Sequence, residues 1–248
     1  DSATISPDGR ERLHVLESHA QRLRAADPQR EALVEAAQLF PHIAPISRGP
    51  AARPKLRFAV HPVPGRTDLT IACSDRGLAR EVAQALSSPY IKTKVSKDII
   101  GTEYAAMLKN IYAIAAGIAH GLGYGDNFQS VLMSNAIREM KRYTKRKFNI
   151  DRNINHSAYL GDLLVTGYST FSRNRMFGNM IGKGYTVKSA MMEMNMVAEG
   201  YYAVESAYKI KEGFEKEVKT PIIDAVYRVL YKDKNPKKAF AELADQIS

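Results

Sequence analysis

The sequence predicts an α/β amino-terminal part followed by an all-α domain. Three observations carry this expectation. Residues 67–102 alternate strand-like and helix-like patterns, the periodicity turns almost wholly helical after Gly101, and the composition shifts near residue 66. Before that break the chain holds nine arginines against one lysine; from about Lys92 lysine dominates, and Ile, Met, Asn and Tyr rise. The expected organisation is an atypical segment of unassigned fold over 1–66, an α/β end piece over 67–101 and a helical domain over 102–248.

The elements follow in chain order. Pro7 opens a helix whose Leu13, Leu16, His19, Ala20 and Leu23 share one stripe. A second helix is expected from Asp27-Pro28 to Phe40. Pro50, Pro54, Pro62 and Pro64 mark 50–65 as a linker or irregular segment. Leu69–Cys73 is a short buried-strand pattern, and Ser74-Asp75 offers a cap for a helix reaching about Leu86. Tyr90–Val95 alternates with period two and suits a strand with one wet face. Helices are then expected over 102–120, 126–148, 157–167, 174–183, 187–194, 198–212, 219–232 and 236–246. Gly121, Gly123 and Gly125 stop the first of these, and Asp126 or Asn127 caps the second. This glycine run follows a helix and not a strand, so it is not read as a dinucleotide loop.

Composition narrows the function classes. The formal net charge of +10 favours an anionic partner: a phosphorylated metabolite, a nucleotide, nucleic acid or an acidic surface. The single cysteine, Cys73, excludes an intrachain disulfide and fits a reducing compartment; its apolar neighbours read as a buried structural thiol. The window 104–125 is long enough to span a bilayer but holds Lys109, Asn110, His120 and four glycines, so no membrane span is expected. The amino end shows no basic region followed by an apolar one, and the expected location is cytoplasmic. His120 and His156 lack metal-ligand spacing, and no metal site is read. The basic run Lys141–Lys147 reads as a solvated helix end at the negative pole of the dipole, and nucleic acid is not an expected partner.

Three constellations carry chemistry. Lys109 is the only formal charge between Glu103 and Asp126. A buried ammonium is costly unless paired or used, and a buried lysine shifts its pKa readily, which suits proton transfer. The competing reading is a lysine whose stem packs while its head reaches water. Asp162, flanked by Leu160, Gly161, Leu163, Leu164 and Val165, wants an ammonium or hydroxyl partner if buried, and Lys109 is the candidate; an exposed cap aspartate is the alternative. In Ser172-Arg173-Asn174-Arg175, the two guanidinium forks match a phosphate, Asn174 adds an amide, and Ser172 adds a hydroxyl that also suits a helix cap. With a helix amino terminus this makes a phosphate site; the alternative is a polar interhelix loop.

Taken together these stretches resemble the soluble NAD(P)-dependent glycerol-3-phosphate dehydrogenases. The resemblance rests on Ser96–Gly101 with Leu108-Lys109-Asn110, on Ala116–Asn127, on Gly161-Asp162-Leu163, on Ser172-Arg173-Asn174 with Phe177-Gly178, and on Val197-Ala198-Glu199-Gly200. It covers roughly 68–212. It implies that 67–101 ends a Rossmann-like dinucleotide-binding domain and that 102–248 is a helical substrate-binding and dimerisation domain. It implies the interconversion of dihydroxyacetone phosphate and sn-glycerol 3-phosphate with NAD or NADP as cofactor. Lys109 is then the catalytic proton donor and acceptor. Asn110, Asp162, Thr166, Ser172, Arg173 and Asn174 bind the substrate, and Arg173, Val197 and Glu199 lie near the cofactor.

Residues 1–66 depart from the family pattern, since they contain no GxGxxG turn to cradle a pyrophosphate. The alternative expectation is therefore a truncated, non-catalytic phosphate-binding or dimerisation module of the same descent. A homodimer is expected from the wide apolar face of 104–119 together with Met191, Met192, Met194 and Met196.

Overall fold

In the computed structural model the described residues are 57–63, 66–194 and 198–247. The helices expected within 1–40 lie outside them, as do Met196 and Val197. The chain divides into two compact units, Asp1–Thr102 and Glu103–Ser248.

In the first unit β1 (Arg57–Val63) pairs antiparallel with β2 (Arg66–Ala72), and β2 pairs parallel with β3 (Ile91–Ser96). The parallel pair needs a crossover, which α1 (Arg76–Leu86) supplies. Asp75 caps this helix, its Oδ1 accepting from the amides of Gly77 at 2.8 Å and Leu78 at 3.1 Å. Ala79, Val82, Ala83 and Leu86 repeat at helical spacing and pack with Leu69, Ile71 and Cys73 of the sheet side. Burial pushes the Cys73 thiol above its ordinary range, consistent with a structural role.

The structure corrects the reading of 50–65 as linker: 57–63 is a strand. The prolines misled, because Pro62 sits in β1, an edge strand among the described residues, where proline is tolerated.

The second unit holds most of α2 (Ile99–Gly121), then α3 (Asp126–Lys147), a π-helical turn (Ser157–Gly161) leading into α4 (Asp162–Tyr168), and α5 (Arg173–Gly182). After these come α6 (Val187–Glu193), α7 (Glu199–Glu212), α8 (Pro221–Tyr231) and α9 (Pro236–Ala244). The helix expected over 157–167 therefore opens with a wider turn. The Asp162 amide reaches back to the carbonyl of Ser157, five residues earlier. At α3 the cap position falls to Gly125, which offers no side chain, and Asp126 is the first helical residue.

Leu108 and every residue from Ile111 to Ala116, with Ile118 and Ala119, are buried. The apolar face of α2 expected to meet a second copy is thus covered within the chain. Of the methionines grouped with it, Met192 remains exposed.

Glycine sets how closely α2 and α5 approach. A β-carbon on Gly117 would lie 2.0 Å from the carbonyl oxygen of Arg175, and one on Gly178 would lie 2.1 Å from that of Ile114. Gly121 and Gly182 face each other one turn on, with a β-carbon on Gly182 falling 2.4 Å from the carbonyl oxygen of Ile118. Ile114 meets Gly178 and Ile118 meets Gly182, so the two helices run parallel and in register.

Glu139 makes a second long-range tie. It is fully buried on α3, yet its Oε2 accepts from the amide of Ile222 at 2.9 Å and its Oε1 from that of Ile223 at 3.0 Å. These are free amides of the first turn of α8, whose cap residue Thr220 leaves them unmet and instead donates its hydroxyl to Asp224. Burial raises the Glu139 pKa to about 8, against the opposing pull of the two amides.

Candidate active site

Lys109 lies on α2, and Asp162 is the first residue of α4. The Lys109 Nζ donates to Asp162 Oδ1 at 2.6 Å. The aspartate side chain is 5% exposed and that of the lysine 22%. The lysine head is thus partnered by the carboxylate, and the aspartate is not an exposed cap. The π-helical turn delivers Asp162 at the start of α4 with its side chain inward. One turn later the Thr166 hydroxyl donates to the carbonyl of Asp162 at 2.7 Å, which leaves the hydroxyl oxygen able to accept.

Ser172 caps α5, its Oγ accepting from the Arg175 amide at 3.3 Å. Arg173 follows as the first helical residue and donates through Nη2 to Glu199 Oε1 at 2.8 Å. Glu199 opens α7, so the amino termini of α5 and α7 meet at this ion pair. Beside it the buried Asn174 accepts through Oδ1 from the amide of Gly200 at 2.8 Å.

Gly200 joins the two halves of the site. A β-carbon there would fall 2.7 Å from Asn174 Oδ1, 2.7 Å from the Ile114 side chain and 2.9 Å from the carbonyl oxygen of Asn110. Asn110 and Asn174 each stand four residues before the seam partners Ile114 and Gly178. The parallel register of α2 and α5 therefore puts the Lys109–Asn110 turn and the Arg173–Asn174 turn at the same level. Gly200 is a positioning residue that sequence reasoning missed, although a glycine at the second place of a helix was a visible signal of close approach. Val197 lies outside the described residues.

The donor set suits a phosphate ester. It offers an ammonium held by a carboxylate, a planar guanidinium, the Ser172 hydroxyl and a helix amino terminus. Among the described residues no cluster of histidine, cysteine, aspartate or glutamate could hold a metal ion.

Residues 98–241 match the family model described as the C-terminus of NAD-dependent glycerol-3-phosphate dehydrogenase. The chain belongs to this family. A glycerol-3-phosphate dehydrogenase (NAD(P)+) of Solidesulfovibrio magneticus is 38% identical over 177 residues, covering 71% of this chain and 53% of that protein. One from an Exiguobacterium species is 39% identical over 170 residues, with 68% and 49% covered. The crystal structure of glycerol-3-phosphate dehydrogenase from Coxiella burnetii superposes with a TM-score of 0.69 at 28% identity, covering 72% of this chain and 55% of that one. The chain spans about half the length of the curated relatives it matches. The family match begins at Asp98, so it takes in all of the helical part that carries Lys109, Asp162, Arg173 and Glu199.

Proposed function

We propose that the chain carries the substrate half of an enzyme that interconverts dihydroxyacetone phosphate and sn-glycerol 3-phosphate, with NAD or NADP as cofactor. The observation that carries this reading is the Lys109–Asp162 pair, set level with the arginine-bearing amino terminus of α5 in a member of this dehydrogenase family. When bound, the nicotinamide supplies or accepts the hydride. Lys109 gives a proton to the ketone oxygen as it becomes a hydroxyl and takes it back in the reverse direction. Asp162 fixes the ammonium in position through their 2.6 Å contact. Asn110 lines the reacting end of the substrate. Arg173, Thr166, Ser172 and Asn174 hold the phosphate, whose charge the guanidinium matches in a forked geometry.

The residues present also fit an approaching cofactor. The Arg173 guanidinium and the first amides of α5 lie together, a set suited to phosphate oxygens. In this reading Arg173, Val197 and Glu199 contact the cofactor, and 67–101 is the end of a Rossmann-like domain, supported by the parallel β2–α1–β3 crossover. Residues 102–248 form the substrate domain. A cytoplasmic setting belongs to the same reading and is supported by the lone buried thiol. A homodimer also belongs to it, supported by the exposed Phe171 and Met192. No helix among the described residues is long and apolar enough to cross a membrane.

The test is oxidation of NADH or NADPH by the chain with dihydroxyacetone phosphate, run against unphosphorylated dihydroxyacetone. The expected result is turnover that needs the phosphate. Binding of glycerol 3-phosphate without any turnover supports instead a non-catalytic phosphate-binding module.

A further inference from the structure

Away from the Lys109 site, α3 and the segment 217–221 leading into α8 enclose a groove of about 1000 Å³. Four cations line it. Arg142, Lys145 and Arg146 fall on one face of α3 by their three- and four-residue spacing, and Lys219 comes from the opposite wall. All four are exposed, and none forms an ion pair with a described residue. Two acidic residues also line the groove. Asp224 is already held by Lys211 and by the Thr220 hydroxyl. Glu217 is left, against four positive charges. Glu139, three residues before Arg142, spends both oxygens on the amides of α8 inside the core.

The bland account of such a run is that it complements the negative end of the helix dipole. Here that work falls to Arg152. Its Nη1 donates to the carbonyls of Thr144 at 3.3 Å, Phe148 at 2.9 Å and Ile150 at 3.4 Å. Arg142 lies more than a turn from the helix end, and Lys219 is not on the helix, so the dipole explains neither. Like charges at this spacing cost each helix pair a few tenths of a kcal/mol. Arg142 is also fixed in place: its Nε donates to the carbonyl of Lys219 at 3.2 Å, which leaves the two terminal amino groups turned loose for a ligand. A concave wall of one sign focuses the field and gathers counter-charge.

We propose that this groove binds a small polyanion carrying two or more phosphate groups. The excess of about three charges exceeds what one phosphate monoester neutralises, and the volume suits a small molecule. The groove-lining cations of α3 run from Arg142 to Arg146, about 6 Å of helix, too short a stripe to follow a nucleic-acid backbone. The groove shares no lining residue with the Lys109 site, so this inference stands independently of the proposed dehydrogenase activity.

Calorimetric titration of the full chain with pyrophosphate, in the presence of excess glycerol 3-phosphate, tests it. One site is expected, weakening as salt rises from about 50 to 200 mM. Arg146→Glu and Lys219→Glu should each weaken binding about tenfold or more, as expected for loss of a charge-assisted contact plus a repulsive one. Lys219→Gln should give a smaller loss, and Arg173→Ala should change affinity less than twofold. All three residues are exposed or half-buried at the surface, and the melting temperature of each variant checks its fold. The proposal is overturned if pyrophosphate does not bind the unaltered chain, if the charge reversals leave affinity unchanged, or if Arg173→Ala abolishes binding. It is equally overturned if a single-stranded oligonucleotide binds more tightly than pyrophosphate and loses affinity in the same variants.

Discussion

Lys109 and Asp162 stand 53 residues apart in sequence and 2.6 Å apart in space. The aspartate is nearly inaccessible, whereas the lysine keeps an opening to solvent on one side. That asymmetry suits a proton-transfer group, which needs a fixed partner behind it and a reactant in front.

Lys109→Ala is expected to lower kcat by about 10²–10⁴-fold in an enzyme that turns over, as for the loss of a general acid–base group. It should also cost stability, since the Asp162 carboxylate is left buried without its cation. Fully buried pairs lose about 3–5 kcal/mol when broken; the partial exposure of Lys109 points to the lower part of that range or below. Urea denaturation checks this, and Lys109→Ala combined with Asp162→Asn should recover much of the loss. A single mutant as stable as the parent would show that the pair contributes nothing.

Arg173→Lys should raise KM for the phosphorylated substrate and change that for dihydroxyacetone little, because an ammonium cannot copy a forked pair of donors. Steady-state kinetics with both substrates decide the matter. Equal losses would mean that Arg173 does not read the phosphate.

Gly178→Ala should be severely destabilising. Its β-carbon would meet the Ile114 carbonyl oxygen at 2.1 Å, a backbone atom that no rotamer change can move aside. The expected cost is about 3 kcal/mol or more, at or above the upper end of the usual range for overpacking. Gly123→Ala is the control for glycine loss in open space: nothing lies within 4 Å of its β-carbon, and its positive φ alone should cost about 1 kcal/mol. Comparable melting temperatures for the two variants would argue against the seam.

Glu139 gives stability a pH dependence of known sign. Its folded pKa, about 8, lies above the ordinary carboxyl value of 4.5, so the folded chain binds the proton more tightly than the unfolded one. The contribution is full below about pH 4.5 and is lost as pH rises through about 8. Denaturation midpoints measured from pH 5 to 9 should therefore fall, and Glu139→Gln should flatten that slope. A parent midpoint that rises over this range would contradict the assignment.

Most of the helical part was legible because its apolar periodicity and its caps agree. Asp75 and Ser172 cap where their sequence positions suggested, and glycines close α2. What escaped depended on partners far away in sequence. Glu139 sits among Arg138, Lys141 and Arg142, and by composition it reads as a surface residue; its partners are the amides of α8, 83 and 84 residues on. The wide turn before Asp162 leaves no periodic trace in five residues. Strand β1 was hidden by Pro62, since proline argues against a strand unless its edge position is known. In the candidate site the residue types and the Lys109–Asp162 pairing were readable, and two other pairings were not: Arg173 with Glu199, and Asn174 with Gly200, join separate helices.

The glycine seam between α2 and α5 has a consequence for how such a site can change over time. Side-chain cores drift, because one bulky residue can trade volume with another. A contact between two backbones has no volume to trade, so the spacing of these helices is decoupled from whatever happens in the surrounding apolar layers. The turn that bears Lys109 and the turn that bears Arg173 form one rigid bracket, and the rest of the helical unit is free to vary around it.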